Sequence, residues 1–395
     1  METFTQLSFE NLENAFASKG NKELKKSFWL FTLMNKQSIT NVGTFFIKLA
    51  LELKFPIKNI IKNTLFKHFC GGEDLIACDE TMNILYKYKV MSILDYSVEA
   101  SVSEEAFKEN MLEIISSIKK ASESKLIAFA VFKSTALVDK NLLEKVQAKK
   151  TLSTLELRNF DYFKSRFENI CREAYNDGVK VLIDAEESWI QEVIDELALD
   201  MMRKYNALKP IVFNTFQMYR KDKYTQLETW IQTSKQEHYY LGVKLVRGAY
   251  LQKEIEYAAD NQLSPVVFKN KELTDIAFND ALELVIQNIR KVAICVGSHN
   301  EESNYLLYNL LVKNEISYNH PHIYVSQLFG MSDHISFNMS QMGFNTSKYL
   351  PYGPVEKVMP YLFRRAEENT SIAGQTSREL NLIKSELKRR NLKLF

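Results

Sequence analysis

The sequence predicts an α/β protein whose main part is a distorted (β/α)8 TIM-like barrel, preceded by an N-terminal helical arm. From about residue 90, short apolar runs rich in β-branched residues alternate with segments of amphipathic helical periodicity. Eight such runs within about 280 residues match the strands of a closed parallel barrel. A doubly wound sheet is the alternative, but no glycine-rich phosphate-binding turn follows the first run.

The predicted strands are apolar runs separated by polar and helical segments. They cover residues 90–94, 126–132, 179–183, 210–213, 241–246, 292–296, 323–328 and 344–350. Helices are predicted after Ser101, which forms a capping-box pattern with Glu104, and over residues 188–205, 275–290 and 302–313. A long helical insertion, roughly residues 138–178, separates the second and third strands and ends at Gly178.

Two flanking segments complete the predicted organisation. Residues 1–88 form the helical arm, residues 89–370 the catalytic barrel, and residues 371–395 a basic amphipathic C-terminal helix. On that last helix Leu380, Ile383, Leu387 and Leu394 interleave with lysines and arginines. The pattern fits an interfacial helix that touches anionic lipid, and equally a solvated terminal helix.

Composition excludes several classes of protein. The net charge is only +2, so no basic field argues for binding nucleic acid. The four cysteines have neither metal-ligand spacing nor a disulfide pattern, which predicts reduced thiols and no metal site. The first thirty residues do not resemble a presequence, and the most apolar early run is too short to span a bilayer. We therefore expect a cytoplasmic protein, with peripheral contact at the inner face of a membrane as a further hypothesis.

Charged and polar residues recur where the predicted strands end, which is where a barrel carries its chemistry. Lys133 follows the second strand, Asp184 the third, and Ser298 with His299 the sixth. After the eighth strand, a Tyr-Gly-Pro turn leads into a helix with Arg364 and Arg365. An arginine doublet beside tyrosines suits a clamp on a small carboxylate, although a solvated basic turn has the same spacing.

Three segments together resemble the proline dehydrogenase family, a family of flavoenzymes found in mitochondria and as bacterial single-function or proline-utilisation proteins. They are residues 182–187 (LIDAEE), 243–250 (VKLVRGAY) and 349–369. The resemblance extends over most of the chain and favours the single-function type. It implies a distorted barrel with non-covalent FAD that oxidises L-proline to Δ1-pyrroline-5-carboxylate by hydride transfer from C5 to flavin N5. The electrons would pass to a membrane quinone, as the first step of proline catabolism.

The resemblance also implies a substrate site. Lys133, Arg364 and Arg365 match residues that bind the proline carboxylate, while Asp184 would balance their charge. The residues that match the enclosing wall of the pyrrolidine ring are Tyr250, Leu328, Tyr349 and Tyr361. Tyr349 favours unsubstituted proline, because hydroxyproline-oxidising relatives carry a smaller polar residue there. Asp184 and Lys244 are the expected catalytic residues.

The implied cofactor site lies at the ends of the third to sixth strands and on the helix that carries Arg364 and Arg365. Its residues are Ala185, Gln217, Lys244, Val246, Arg247, Gly248, Ala249, Ser298, His299 and Glu368. Lys244 stands where many bacterial relatives have arginine, and Arg247 where many of those have lysine, so bidentate geometry differs. Leu251 replaces a tryptophan that stacks on the cofactor in some relatives.

Alternative functions follow from the same residues. One is hydroxyproline dehydrogenation. Another is a Schiff-base barrel aldolase that uses Lys133 as its nucleophile and needs no flavin. A third is a non-catalytic barrel that senses proline. These readings differ in flavin content and turnover.

Overall fold

The barrel is closed by eight parallel strands in sequential order, as the sequence predicts. The structure is a computed structural model that describes residues 6–34, 58–98, 103–371 and 375–393. Each strand pairs with the next along the chain, and β8 returns to pair with β1. The strands are β1 (Val90–Tyr96), β2 (Ile127–Lys133), β3 (Val181–Asp184), β4 (Val212–Gln217), β5 (Leu241–Val246), β6 (Val292–Gly297), β7 (Ile323–Leu328) and β8 (Thr346–Tyr352).

Three strands end two or more residues later than predicted. The sequence prediction ended β1 at residue 94, β4 at 213 and β8 at 350, because polar or proline residues follow the apolar runs there. In the structure Gln217 pairs with Val246, and Asp95 pairs with Pro351, so the hydrogen-bonded ladder continues past the apolar residues. The consequence is functional, since Asp95 and Gln217 belong to rigid strands rather than to loops.

The interior of the barrel has an apolar floor and a charged upper layer. Phe129 and Phe213 meet edge to face with ring centroids 5.2 Å apart inside the barrel. Because side chains alternate along a strand, the inward positions above them carry polar groups at the strand ends. The floor therefore supports the charged layer against collapse and excludes water from below.

The helices surround the barrel, and they precede, connect and follow its strands along the chain. Preceding the barrel are α1 (Leu12–Ala15), α2 (Asn21–Met34), α3 (Lys58–Ile61), a π-helical turn (Lys62–Phe66), α4 (Lys67–Phe69) and α5 (Cys78–Tyr86). Those connecting the strands are α6 (Glu104–Ser122), a 3-10 turn (Ser134–Ala136), α7 (Lys140–Gln147), α8 (Thr154–Asp177), α9 (Ser188–Tyr205), α10 (Lys223–Gln236), α11 (Leu251–Asp260), α12 (Lys271–Gln287), α13 (Glu301–Lys313) and α14 (Asp333–Gln341). After the barrel come α15 (Val355–Ser371) and α16 (Gln375–Arg389).

The caps of two helices explain where they begin and end. The N-cap of α6 is Ser103, whose hydroxyl accepts the Ala106 N–H, so the predicted cap at Ser101 was wrong; Ser101 lies outside the described residues. A true capping box begins α8, between Ser153 and Glu156. Gly178 ends that helix in the left-handed conformation, φ 69°.

The helix α15 enters from the Tyr-Gly-Pro turn and packs on the N-terminal helices. Gly353 makes the turn with φ 140°, a conformation that disfavours any side chain. Tyr361 and Leu362 are buried against Phe66 and Phe69, and Leu328 joins this cluster to the interior of the barrel. The N-terminal segment thus helps to hold the helix that carries the arginine doublet.

The C-terminal helix α16 is buried against the N-terminal segment. Leu380, Ile383 and Leu387 form one apolar cluster with Phe16, Phe28 and their neighbours. The face that an interfacial helix would insert into a bilayer is therefore covered by protein, whereas Leu394 lies outside the described residues. The predicted division at residues 88 and 370 stays a prediction, since the two terminal segments contact each other. In the described ranges, every helix is too short or too polar to cross a membrane.

Candidate functional site

Asp184, at the end of β3, is the junction of the charged layer. Its Oδ1 accepts a hydrogen bond from Lys244 Nζ of β5 at 2.7 Å, and its Oδ2 accepts from the Tyr349 hydroxyl of β8 at 2.6 Å. Burial alone would raise the pKa of Asp184, but Lys244, Lys133 and the Tyr349 hydroxyl outweigh it and hold the pKa below its usual range. Burial and the neighbouring carboxylate raise the pKa of Tyr349, so its hydroxyl remains a donor.

Lys133, at the end of β2, lies between two carboxylates. Its Nζ is 3.7 Å from Asp184 Oδ2 and 3.5 Å from Asp95 Oδ1. Asp95 is only 1% exposed and is a residue that the sequence prediction missed. Its signal was present, because Asp95 directly follows an apolar run just as Asp184 does. The missed acid gives Lys133 a second counter-charge on the side of β1.

The arginine doublet lies above this layer on α15. Arg365 is 7% exposed, and its guanidinium carbon lies 5.0 Å from the centre of the Tyr361 ring. Arg364 is half-buried on the same helix. For Glu368 the helix backbone is described and the side chain is not. Tyr250, the N-cap of α11, is half-buried beside Lys253, whose Nζ lies 5.3 Å from the centre of its ring.

The ends of β5 and β6 are tied together by Arg247. Its Nε donates to Asp275 at 2.6 Å, its Nη1 to Ser298 at 2.9 Å and its Nη2 to Ser303 at 2.9 Å. This network fixes the guanidinium and partly neutralises its charge. The predicted cofactor residue Ser298 therefore acts on Arg247 as well as lining the strand end.

The backbone that follows Arg247 packs closely against the ring of Tyr219. Gly248 has φ 136°, and a Cβ there would lie 2.6 Å from atoms of the Tyr219 ring. A side chain at Gly248 would therefore displace the ring or the loop. On the neighbouring strand Gln217 donates to the Glu186 carbonyl at 2.7 Å. A fixed cation, a bare loop and an amide at adjacent strand ends form a donor set that fits the phosphates and polar ring edge of FAD.

His299, just after β6, is neutral and held at both ring nitrogens. Its Nδ1 lies 2.8 Å from the Ser332 hydroxyl, and its Nε2 accepts the Leu328 N–H at 3.4 Å. Burial lowers the pKa of His299 to about 3, with help from the nearby cations Lys348 and Arg365. Ser332 was not predicted from the sequence, and nothing in its local pattern distinguishes it from a loop serine.

Glu186 is a second acid that the sequence prediction did not single out. It is 3% exposed, and its carboxylate accepts the Thr135 N–H at 2.9 Å and the Thr135 hydroxyl at 2.6 Å. Despite these donors, burial raises the pKa of Glu186 to about 7. The carboxyl ties the end of β3 to the turn after β2, next to Lys133.

The structure brings the predicted residues into two adjoining groups. Lys133, Asp184, Lys244 and Tyr349 form the charged layer, and Arg247, Ser298 and His299 line the ends of β5 and β6. Leu328 connects the groups through its bond to His299. Ala185, Val246 and Ala249 lie at strand ends without polar side chains, so any contact with a cofactor would come from their backbone or apolar atoms. Among the described residues, no three His, Cys, Asp or Glu side chains cluster as a metal site.

The same barrel occurs in solved structures of proline utilization A. The crystal structure from Bdellovibrio bacteriovorus, described as inactivated by N-propargylglycine, superposes with a TM-score of 0.73 over 96% of this chain at 19% identity. The protein from Corynebacterium freiburgense gives a TM-score of 0.66 over 90% of the chain at 17% identity. This chain spans only 41% and 35% of those two chains. At this level of identity the likeness establishes the fold.

The sequence comparisons identify the family. The proline dehydrogenase family model matches residues 78–378, most of the chain. Proline dehydrogenase 1 from Dictyostelium discoideum is 30% identical, and the alignment covers 95% of this chain and 74% of that protein. The chain therefore belongs to the proline dehydrogenase family, which confirms the predicted family and enzyme class.

The relatives include a protein with a different role. The carbapenem antibiotics biosynthesis protein CarD of Pectobacterium carotovorum is 32% identical, over 82% of this chain and 83% of that protein. Family membership alone therefore does not identify the substrate, which has to be inferred from the residues of the site.

Proposed function

We propose that this chain is a single-function proline dehydrogenase that oxidises L-proline to Δ1-pyrroline-5-carboxylate with FAD and passes the electrons to a membrane quinone. The observation that carries the proposal is the Asp184 junction, which joins Lys244, Lys133 and Tyr349 at the mouth of the barrel. A cationic end and an aromatic wall are the two features that an aliphatic ring with a carboxylate requires.

The cofactor would lie along the ends of β4 to β6. Gln217, Lys244 and Arg247 supply the polar and cationic groups there, His299 lies at the end of β6, and Gly248 lets the loop pack closely on Tyr219. When bound, FAD accepts the hydride from substrate C5 at its N5. Lys244 adds positive charge beside that region, which favours an anionic reduced product.

The substrate would be oriented by its carboxylate. Arg364, Arg365 and Lys133 are the cations that face it, and Asp184 and Asp95 hold Lys133 in position. The Tyr349 hydroxyl is fixed on Asp184, so its ring presents a rigid face to the pyrrolidine. The ring nitrogen must be neutral when C5 loses a hydride, so kcat/KM should rise with pH as the amine deprotonates.

Hydroxyproline is the second substrate to consider. The Tyr349 hydroxyl is used by Asp184, and the ring contacts Lys244 with 4.6 Å between Nζ and the ring centre. This leaves little freedom for the tyrosine to make room for an added hydroxyl, which supports proline. Because one relative is a carbapenem antibiotics biosynthesis protein, the substrate panel should extend beyond proline and hydroxyproline.

The Schiff-base aldolase is disfavoured by the surroundings of Lys133. A nucleophilic lysine must be neutral, whereas the two carboxylates within 3.5 and 3.7 Å of its Nζ stabilise the ammonium. Borohydride trapping of a carbonyl substrate on Lys133 in colourless protein would restore this alternative.

The test begins with the visible spectrum of the purified protein. We expect bound FAD and loss of the blue absorption band when L-proline is added without oxygen. L-hydroxyproline at the same concentration is the matched comparison and should reduce the flavin much more slowly. Yellow protein that proline does not bleach would overturn the substrate assignment. Reoxidation by a soluble quinone, with and without vesicles of anionic lipid, tests the acceptor and the membrane contact.

A further inference from the structure

The loop between β7 and α14 connects the cofactor side of the mouth with both ends of the chain. It begins at Leu328, which faces the interior of the barrel, and contains Ser332, whose hydroxyl meets His299. No residue of this loop was singled out from the sequence except Leu328. Its backbone nevertheless bonds to α16, and the adjoining Asp333 at the start of α14 pairs with the N-terminal segment.

The two bonds of His299 assign its tautomer. The backbone N–H of Leu328 can only donate, so the Nε2 atom that it meets carries no proton. The proton of the neutral ring is therefore on Nδ1 and is donated to Ser332 Oγ at 2.8 Å. Because both nitrogens are used in this way, His299 links the Ser332 hydroxyl to the backbone of Leu328. It presents carbon edges to the cofactor side.

Ser332 is itself held in an uncommon conformation. Its φ and ψ are 51° and 43°, the left-handed region that a serine adopts only when its surroundings hold it there. Its N–H donates to the Glu379 carboxylate of α16, and both residues are buried. Through this hydrogen bond, Glu379 of the C-terminal helix fixes the backbone of Ser332.

The residues next to Ser332 are also fixed from outside the loop. Asp333 is paired with Lys348 Nζ at 2.8 Å and with Lys19 Nζ of the N-terminal segment at 2.5 Å. Lys348 is fully buried and also donates to the Met331 carbonyl at 2.5 Å. The conformation at Ser332 is therefore supported by contacts on both sides, and the position of its hydroxyl is closely fixed.

We propose that Ser332 is a positioning residue for His299 and that Glu379 of α16 positions Ser332, so that the C-terminal helix takes part in shaping the cofactor site. The proposal rests on the proposed function only in treating His299 as part of an FAD site. Ser332 is expected to act through the imidazole, by fixing its tautomer and ring orientation.

The direct test reads the tautomer of His299 by NMR of the full chain labelled with 15N-histidine. The chain has six histidines, and the His299→Gln variant identifies the signal to follow. Wild type should give an Nδ1–H, Nε2-unprotonated pattern. Ser332→Ala and Ser332→Gly should both shift His299 toward a mixture of tautomers. Glycine relaxes the left-handed backbone whereas alanine does not, so a common shift isolates the loss of the hydroxyl.

Two matched controls separate positioning from general loosening. Ser340→Ala removes a buried hydroxyl of the same helix α14, which donates to the Tyr88 carbonyl rather than to Ser332 or His299. Glu386→Gln alters a fully buried acid of the same helix α16, which pairs with Arg389 and Arg390 rather than with Ser332. Neither control should change the His299 signal, whereas Glu379→Gln should change it in the same direction as Ser332→Ala.

The second readout is the FAD dissociation constant, which should rise about threefold to tenfold in Ser332→Ala and Ser332→Gly, as expected for one neutral hydrogen bond. An unchanged tautomer in both serine variants would overturn the proposal, and so would an equal change in the two controls. Failure of the proposed function is distinguishable, because wild-type protein would then bind no FAD while the tautomer of His299 could still be read.

Discussion

Two buried lysine–aspartate pairs of nearly equal length lie on opposite sides of the same barrel wall. The mouth pair, Lys244–Asp184, measures 2.7 Å and lies inside the barrel at the strand ends. The wall pair, Lys223–Asp195, measures 2.6 Å and lies outside, between β4 and the helices α9 and α10. The side chains of the mouth pair are 9% and 13% exposed, and those of the wall pair are 2% and 4% exposed.

The pairs differ in how their remaining hydrogen-bonding capacity is used. Around the wall pair, Asp195 also accepts from Gln191, Asn214 and Gln226, and Lys223 also donates to Gln226. Each partner is thus surrounded by polar side chains that satisfy its hydrogen-bonding capacity. The mouth pair instead shares Asp184 with Tyr349 and Lys133, and Lys244 lies against the Tyr349 ring. A closed network favours stability, whereas an open one leaves cations directed at a ligand.

Breaking the wall pair should give the largest effect, and the effect should be on stability. Asp195→Asn leaves the Lys223 ammonium buried without its counter-charge, which costs about 3–5 kcal/mol of unfolding free energy. Urea unfolding measures the loss, and kcat/KM per bound FAD should change less than about twofold. The double variant Lys223→Met/Asp195→Asn, which removes both charges, should be less destabilised. If Asp195→Asn protein were stable but had low activity, the wall pair would serve activity rather than stability, and this prediction would be wrong.

Removing a cation that faces the substrate should reduce activity without unfolding the protein. Arg365→Met removes a charge-assisted bond to the proline carboxylate, which costs about 2–4 kcal/mol, or roughly a thirtyfold to thousandfold fall in kcat/KM. The variant should stay folded and yellow, because the predicted FAD contacts lie mainly on other elements. Wild-type kcat/KM would rule out the clamp, and colourless protein would assign Arg365 to the cofactor.

Breaking the mouth pair should reduce activity with a modest cost in stability. Asp184→Asn keeps the shape but weakens the hold on Lys244, Lys133 and the Tyr349 hydroxyl, each a bond that involves a charged group. A loss of about 1.5–3 kcal/mol corresponds to a roughly tenfold to hundredfold fall in kcat/KM. Steady-state kinetics with proline measures it, and Lys244→Arg, which keeps the pair, is the control that should retain most activity. Equal losses in the two variants would show that charge at Asp184 is not what matters.

The smallest effect should come from Glu186, and it should depend on pH. Because burial raises its pKa from 4.5 to about 7, ionisation of this carboxyl opposes the folded state. Its contribution to stability is therefore lost as pH rises from about 4.5, where the unfolded chain ionises, to about 7. Glu186→Gln removes that loss, so the stability of the variant relative to wild type should improve between pH 5 and pH 7.5.

Urea unfolding at the two pH values checks the difference for Glu186. Glu168→Gln is a suitable control, because its hydrogen bond from Lys204 lowers the pKa of Glu168, and its effect should be the same at both pH values. A Glu186→Gln difference that does not change with pH would contradict the raised pKa.

The sequence was sufficient for the barrel and for most of the mouth because both depend on short patterns. Apolar runs followed by one polar residue identified Lys133 and Asp184, the family resemblance added Tyr349, and the alternation of strands and helices predicted the fold. Strand ends were less certain where the ladder continues through polar residues, as at Asp95 and Gln217. Asp195 lies between apolar residues on α9, so its buried pairing depends on Lys223, which is 28 positions away.

Ser332 and α16 required the structure for a different reason. A serine acquires its role from a left-handed backbone and from Glu379, which is 47 positions later, and no local pattern encodes either. The amphipathic pattern of α16 was visible, but its partner was not, since an apolar face has the same sequence whether lipid or protein covers it. Long-range packing decided between those two interpretations.

The packing of α2 against α16 also constrains the order in which the chain can fold during its synthesis. Arg390 donates to the Lys19 carbonyl at 2.8 Å across 371 positions, and apolar residues of both segments share one cluster. A ribosome must release nearly the whole chain before these contacts can form, so Phe16, Phe28 and Phe31 have no such partner during synthesis. The barrel strands can pair in order while the chain emerges, but the loop that orients His299 is completed last. The packing of the N-terminal phenylalanines is thereby completed only after residues 380–387 have emerged.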